Sequence, residues 1–175
     1  MGDKVCVECH SAEHEVWKGT KHFSSFRSVH KSKKAKPILK AVGIKRMKGS
    51  ETCSLCHYSM VQKDANSKPR AKSGPGCESC HGAASEWLNV HNNYGGPNVK
   101  RDSETAEHKA ERLRKSTEMG MILSGDRYGI AENCMSCHGL NHPGVDGKTL
   151  AKMLGAGHPL NTNFELVEYS QGTVR

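Results

Sequence analysis

The chain has 175 residues, the length of one domain, yet only 35% of it is hydrophobic and 5% aromatic, against about 45–50% apolar in ordinary globular chains. A conventional side-chain core is therefore under-supplied, and eight Cys, eleven His and eighteen Gly point to an interior filled by something other than side chains. No stretch approaches the roughly 20 apolar residues of a membrane span, and Met1 and Gly2 lead too directly to Cys6 for a secretory signal, so an exported chain is expected to have lost its signal.

In chain order, Cys6-Val7-Glu8-Cys9-His10 comes first. Residues 11–30 read as a helix carrying Trp17, with a bend at Gly19. Residues 31–48 form a basic segment interrupted by Pro37 and Gly43. The net charge of +8 is local to this region, because residues 16–50 hold eleven Lys or Arg and no Asp or Glu. Next come Cys53-Ser54-Leu55-Cys56-His57 and a polar loop over 62–76 with Pro69, Gly74, Pro75 and Gly76. Cys77-Glu78-Ser79-Cys80-His81 leads into a short helix over 83–92 and a turn cluster from Asn92 to Pro97. Residues 103–119 give the clearest helix, with Ser103 as N-cap, acidic residues before basic ones, and Gly120 at its end. Cys134-Met135-Ser136-Cys137-His138 follows, then a short helix over 147–155. Residues 163–169 read as a strand or an extended tail.

All eight Cys fall in four C-x-x-C-H motifs. Two intervening residues set the thiols at the span of the two vinyl groups on one haem edge, and the next residue can turn an imidazole under the ring. The pattern reads as covalent attachment of haem c, four in all, through Cys6, Cys9, Cys53, Cys56, Cys77, Cys80, Cys134 and Cys137. Zinc sites of four Cys have no need of a His after each second Cys, and a redox dithiol occurs once or twice, not four times. Four large apolar cofactors also replace the missing core. The expected fold is mostly α with extensive loops, one domain over 1–175 organised around four haems, with folding coupled to their attachment.

His10, His57, His81 and His138 are the proximal ligands of this reading, and seven His remain for the opposite faces. His22, His30, His91 and His158 fit that role best. His14 and His142 each lie four residues after a proximal His, beside the same ring rather than across it. His108, in Glu107-His108-Lys109, reads as a surface residue. Seven Met are alternative ligands that would raise the potential. His91 lies ten residues beyond His81, about 15 Å if the segment is helical, so the two are expected to serve different haems.

Cys6 to His10 with Glu15-Val16-Trp17-Lys18-Gly19-Thr20-Lys21-His22 resembles the opening of the cytochrome c-554 family of tetrahaem proteins. Gly74-Pro75-Gly76-Cys77-Glu78-Ser79-Cys80-His81-Gly82 with His91, and the segment from Cys134 to Gly157-His158-Pro159, fit the same pattern. The resemblance implies a mostly helical fold with closely stacked haem pairs and distal ligands His22, His91 and His158. It also implies that the second haem, held by Cys53, Cys56 and His57, lacks a distal ligand; His30, without an evident counterpart in the family, is expected to close that site.

The function expected is electron transfer between redox proteins, with no catalytic residues beyond the haems. A reductase of small nitrogen or sulfur species would need an open iron, with Tyr58, His108 or Arg112 as proton donors. A cytochrome filament is the structural alternative, so an oligomer is possible. Thioether attachment of haem takes place outside the bacterial cytoplasm, so the chain is expected in the periplasm or outside the cell. The basic 16–50 segment reads either as compensation for haem propionates or as a docking face for acidic redox partners. It carries no nucleic-acid recognition motif.

Overall fold

The computed structural model describes residues 1–139, 142 and 144–159. The strand or tail expected over 163–169 lies outside them. The described chain is mostly helical: α1 (Asp3–Val7), α2 (Ser11–Lys18), α3 (Lys21–Ser28), α4 (Ala35–Ala41), α5 (Glu51–His57), α6 (Cys77–His81), α7 (Ala84–His91), α8 (Ala106–Glu118), α9 (Arg127–His138) and α10 (Gly147–Gly155). Between α5 and α6 lies an antiparallel pair, β1 (Ser59–Val61) and β2 (Arg70–Ser73), with Met60 opposite Ala71 and a bulge after Ser59.

The helix expected over 11–30 is broken where Gly19 ends α2, and Thr20 restarts it by accepting the Phe23 N–H on its hydroxyl at 3.3 Å. The basic segment holds a helix that its Pro and Gly had argued against. Pro37 is the third residue of α4, inside the first turn, where backbone N–H groups have no intrahelical acceptor to lose. Gly43, at φ +71°, closes α4, and the Ile44 N–H reaches back to the Leu39 carbonyl at 2.9 Å. The cap of α8 is Thr105, not Ser103. Residues Arg101–Ser103 wind into a 3-10 turn first, and the Thr105 hydroxyl accepts the His108 N–H at 3.2 Å. Asp146 caps α10 by accepting the Thr149 N–H at 2.9 Å.

Helices α7 and α8 pack on each other, α4 packs on α10, and α6 touches both α1 and α9. The side-chain core is thin, as the composition implies. Among the described residues the buried apolar side chains are Ala35, Cys53, Tyr58, Ala84, Trp87 and Met153. No helix among them is long and apolar enough to cross a membrane.

Candidate haem-binding site

Each C-x-x-C-H motif coils as a short helical turn. Residues three and four apart share a helix face, so the two thiols and the imidazole project to one side. Cys77–His81 is the whole of α6, while Cys53–His57 and Cys134–His138 are the last turns of α5 and α9. The first motif starts in α1 and ends just past it at His10, whose N–H bonds the Cys6 carbonyl at 2.9 Å.

The motifs touch in an order that differs from their order in the chain. Helix α1 packs on α6 and brings Cys6 beside Cys77, joining third to first. Asn133 donates its amide to the Ser79 and Cys80 carbonyls at 2.7 and 3.2 Å, joining fourth to third. The Cys137 thiol, beside Cys56, donates to the Leu55 carbonyl at 3.6 Å, joining second to fourth. The series is first, third, fourth, second.

Imidazoles distant in the chain are brought together in pairs. His10 and His91 have ring centres 6.2 Å apart, His22 and His138 5.9 Å, and His57 and His158 6.0 Å. A metal–imidazole bond is about 2 Å and a ring centre lies roughly 1.2 Å behind its nitrogen, so two imidazoles on opposite sides of one ion stand about 6.3 Å apart. All three pairs fit a single iron between them. Each pair also joins one motif His to one distant His, which is what a ring lying between them requires. Among the described residues no three His, Cys, Asp or Glu gather as a metal cluster, the arrangement a zinc site would present.

A family model described as cytochrome c554 and c-prime matches residues 5–82. Cytochrome c-554 of Nitrosomonas europaea is 29% identical over 153 residues, covering 84% of this chain and 60% of the relative. The matched segment, which holds the first three C-x-x-C-H motifs, is thus similar to the cytochrome c-554 family. The chain spans about 60% of the length of that curated relative. No solved structure matches. Likeness to a family of c-type cytochromes is consistent with covalently bound haem c at these motifs.

Burial suits five of these rings to a metal-binding, neutral state. It pushes His57 down to about 4, with His158 and His138 adding to the shift, and it lowers His22, His91, His138 and His158. His158 donates from Nδ1 to the Pro159 carbonyl at 3.0 Å, and His81 from Nδ1 to the Ile122 carbonyl at 2.8 Å, which leaves Nε2 of each for iron. A cleft between α4, α5 and α10, walled by Ile38, Leu39, Met47 and Met153, opens on His57 and His158.

His30 is not brought to any of these pairs. It lies in the turn Val29–Lys31 near Lys48 and Lys31, and His158 faces His57 instead. Among the described residues His81 has no facing imidazole. His14 lies tilted against Trp17 with ring centres 5.4 Å apart, and His142 lies 3.4 Å from the Ser136 carbonyl. Tyr58 is 3% exposed beside His57, where burial pushes its phenol up to about 12.

The reading of His108 as a plain surface residue missed a network. Glu104, with a side chain 2% exposed, accepts from Arg112 at 2.6 and 2.7 Å and pairs with His108 at 2.7 Å. Arg112 also donates to the His91 carbonyl at 2.6 Å and lies over the Tyr94 ring. The eight-residue gap from Glu104 to Arg112 is not a helical pairing distance, so spacing gave no sign of it.

Proposed function

We propose that this chain is a tetrahaem electron carrier working in the periplasm or outside the cell. The observation that carries the reading is the three imidazole pairs at 5.9–6.2 Å, each built on one C-x-x-C-H motif. Cys6 and Cys9, Cys53 and Cys56, Cys77 and Cys80, and Cys134 and Cys137 are the attachment points. His10 with His91, His57 with His158, and His138 with His22 would hold three of the irons, and His81 would hold the fourth. The bound haems supply reversible one-electron chemistry at iron. Burial favours the neutral form of His22, His57, His91, His138 and His158, Nδ1 bonds to carbonyls orient His81 and His158, and apolar side chains line the second site. The motif contacts supply a continuous route between first and second motifs. Redox proteins are the proposed partners.

The reductase alternative has one observation in its favour, the unmatched His81. Low-temperature electron paramagnetic resonance of the oxidised protein, with intact mass for haem count, tests both readings. Four haems with at least three low-spin bis-His signals are expected. A fourth, high-spin signal that responds to nitrite or nitric oxide would move the reductase forward. A mass lacking four haems would refute the tetrahaem reading.

A further inference from the structure

The ends of the motif series differ in charge. Residues 1–15, around the first motif, carry Asp3, Glu8, Glu13 and Glu15 against Lys4 alone. At the second motif the balance reverses. The inner face of α4 contributes Ala35, Ile38 and Leu39 to the His57–His158 cleft, and Met47 lines it from the next turn. The residues between and beside them, Lys33, Lys34, Lys36, Lys40, Lys45 and Arg46, are exposed. Two elements remote in sequence extend the patch. Strand β2, packed on the Met47–Gly49 turn, exposes Arg70 and Lys72, and α10, packed on α4, exposes Lys152. Among the described residues, Lys18 alone of the eleven cations in 16–50 lies within ion-pairing distance of a carboxylate. Glu15 and Glu51 are the acidic residues that flank this stretch in sequence.

We infer that this face is a docking surface for an acidic one-electron redox protein, and that electrons enter or leave the chain there through the second motif rather than the first. The inference rests on the electron-carrier reading. Unpaired exposed cations cost little while solvated and become attractive against a surface of opposite sign, and a field concentrated at one end turns an approaching acidic protein toward that end. Such steering raises association rates by roughly 10- to 1000-fold at low salt. In the transfer the partner loses one electron and this chain gains one; no atom or proton moves between them.

The test uses the haem-loaded protein and a reduced plant-type ferredoxin, an acidic one-electron donor, in stopped flow at about 10 mM ionic strength, where the screening length is about 30 Å. K33E/K34E/K36E is expected to slow reduction at least about tenfold, while K4E/K100E/K109E, with the same charge change at other exposed positions, leaves it within about twofold. The difference should vanish at about 1 M salt. Equal rates in the two variants, or equal slowing, overturn the docking face. Carbodiimide cross-linking of wild type to ferredoxin is expected to join its carboxylates to Lys33, Lys36, Lys40 or Lys45, and adducts concentrated on Lys4, Lys100 or Lys109 overturn it independently of variant folding. Flash-generated neutral lumiflavin, which feels no steering, should reduce wild type and both variants alike. If it reduces none of them, the electron-carrier reading falls; if it reduces all of them while ferredoxin does not discriminate, only the docking face falls.

Discussion

Arg112 is 7% exposed and divides its donors between a buried carboxylate and the carbonyl of His91. Helix α7 ends at His91, where carbonyls lack intrahelical donors, so the guanidinium fixes both the end of the helix and the placing of His91. Removing one partner of a buried ion pair leaves the other uncompensated. Arg112→Leu is therefore expected to cost roughly 3–5 kcal/mol in guanidinium unfolding, and to alter the low-spin signal assigned to His10 and His91. The same contacts set an acid limit. Arg112, with His108, holds the Glu104 carboxyl at about 2 against 4.5 ordinarily. A depressed carboxyl contributes stability that is complete above the unfolded value and is lost as pH falls through the folded one. The thermal midpoint should thus drop between about pH 4.5 and 2, and Glu104→Gln should flatten that part of the profile.

At the scale of elements, the loop from β2 into α6 presses on α3. A methyl group at Gly74 would stand 2.0 Å from the His22 carbonyl, backbone against backbone, with no flexible side chain to yield. Gly74→Ala is expected to displace α3 and with it His22, broadening or removing the low-spin signal of the His22–His138 site while the other two persist. An unchanged spectrum would show that α3 does not depend on this contact. Elements were partly legible in the sequence. The motifs were, because thioether attachment demands a local spacing, and so were the bend at Gly19 and the helices near 83–92 and 147–155. Helix α4 was not, because Pro37 reads as a breaker until its place in the first turn is known. The start of α8 was misread because Ser103 and Thr105 are both able caps, and the 3-10 turn chose between them.

For the molecule as a whole, sequence order says little about which imidazoles meet. His22 and His138 come together across most of the chain, and His57 is faced by His158 rather than by nearer His30. Such pairings are decided by tertiary packing, which no local spacing encodes. The motif series makes a further prediction. The third motif touches two others while the first touches one, so Cys77→Ala with Cys80→Ala should lower haem content and helical circular dichroism more than Cys6→Ala with Cys9→Ala. Equal losses would mean the motifs fold as separate modules.

The bond from Asn133 to the Ser79 and Cys80 carbonyls joins the middle of that series and has a thermodynamic consequence. Haems bound at motifs in contact would not titrate independently, because an electron resting on one repels the next through a poorly screened interior. The chain should therefore fill over a broad span of potential, wider than a single-electron wave. It would act as a graded reservoir, giving up its last electrons less readily than its first.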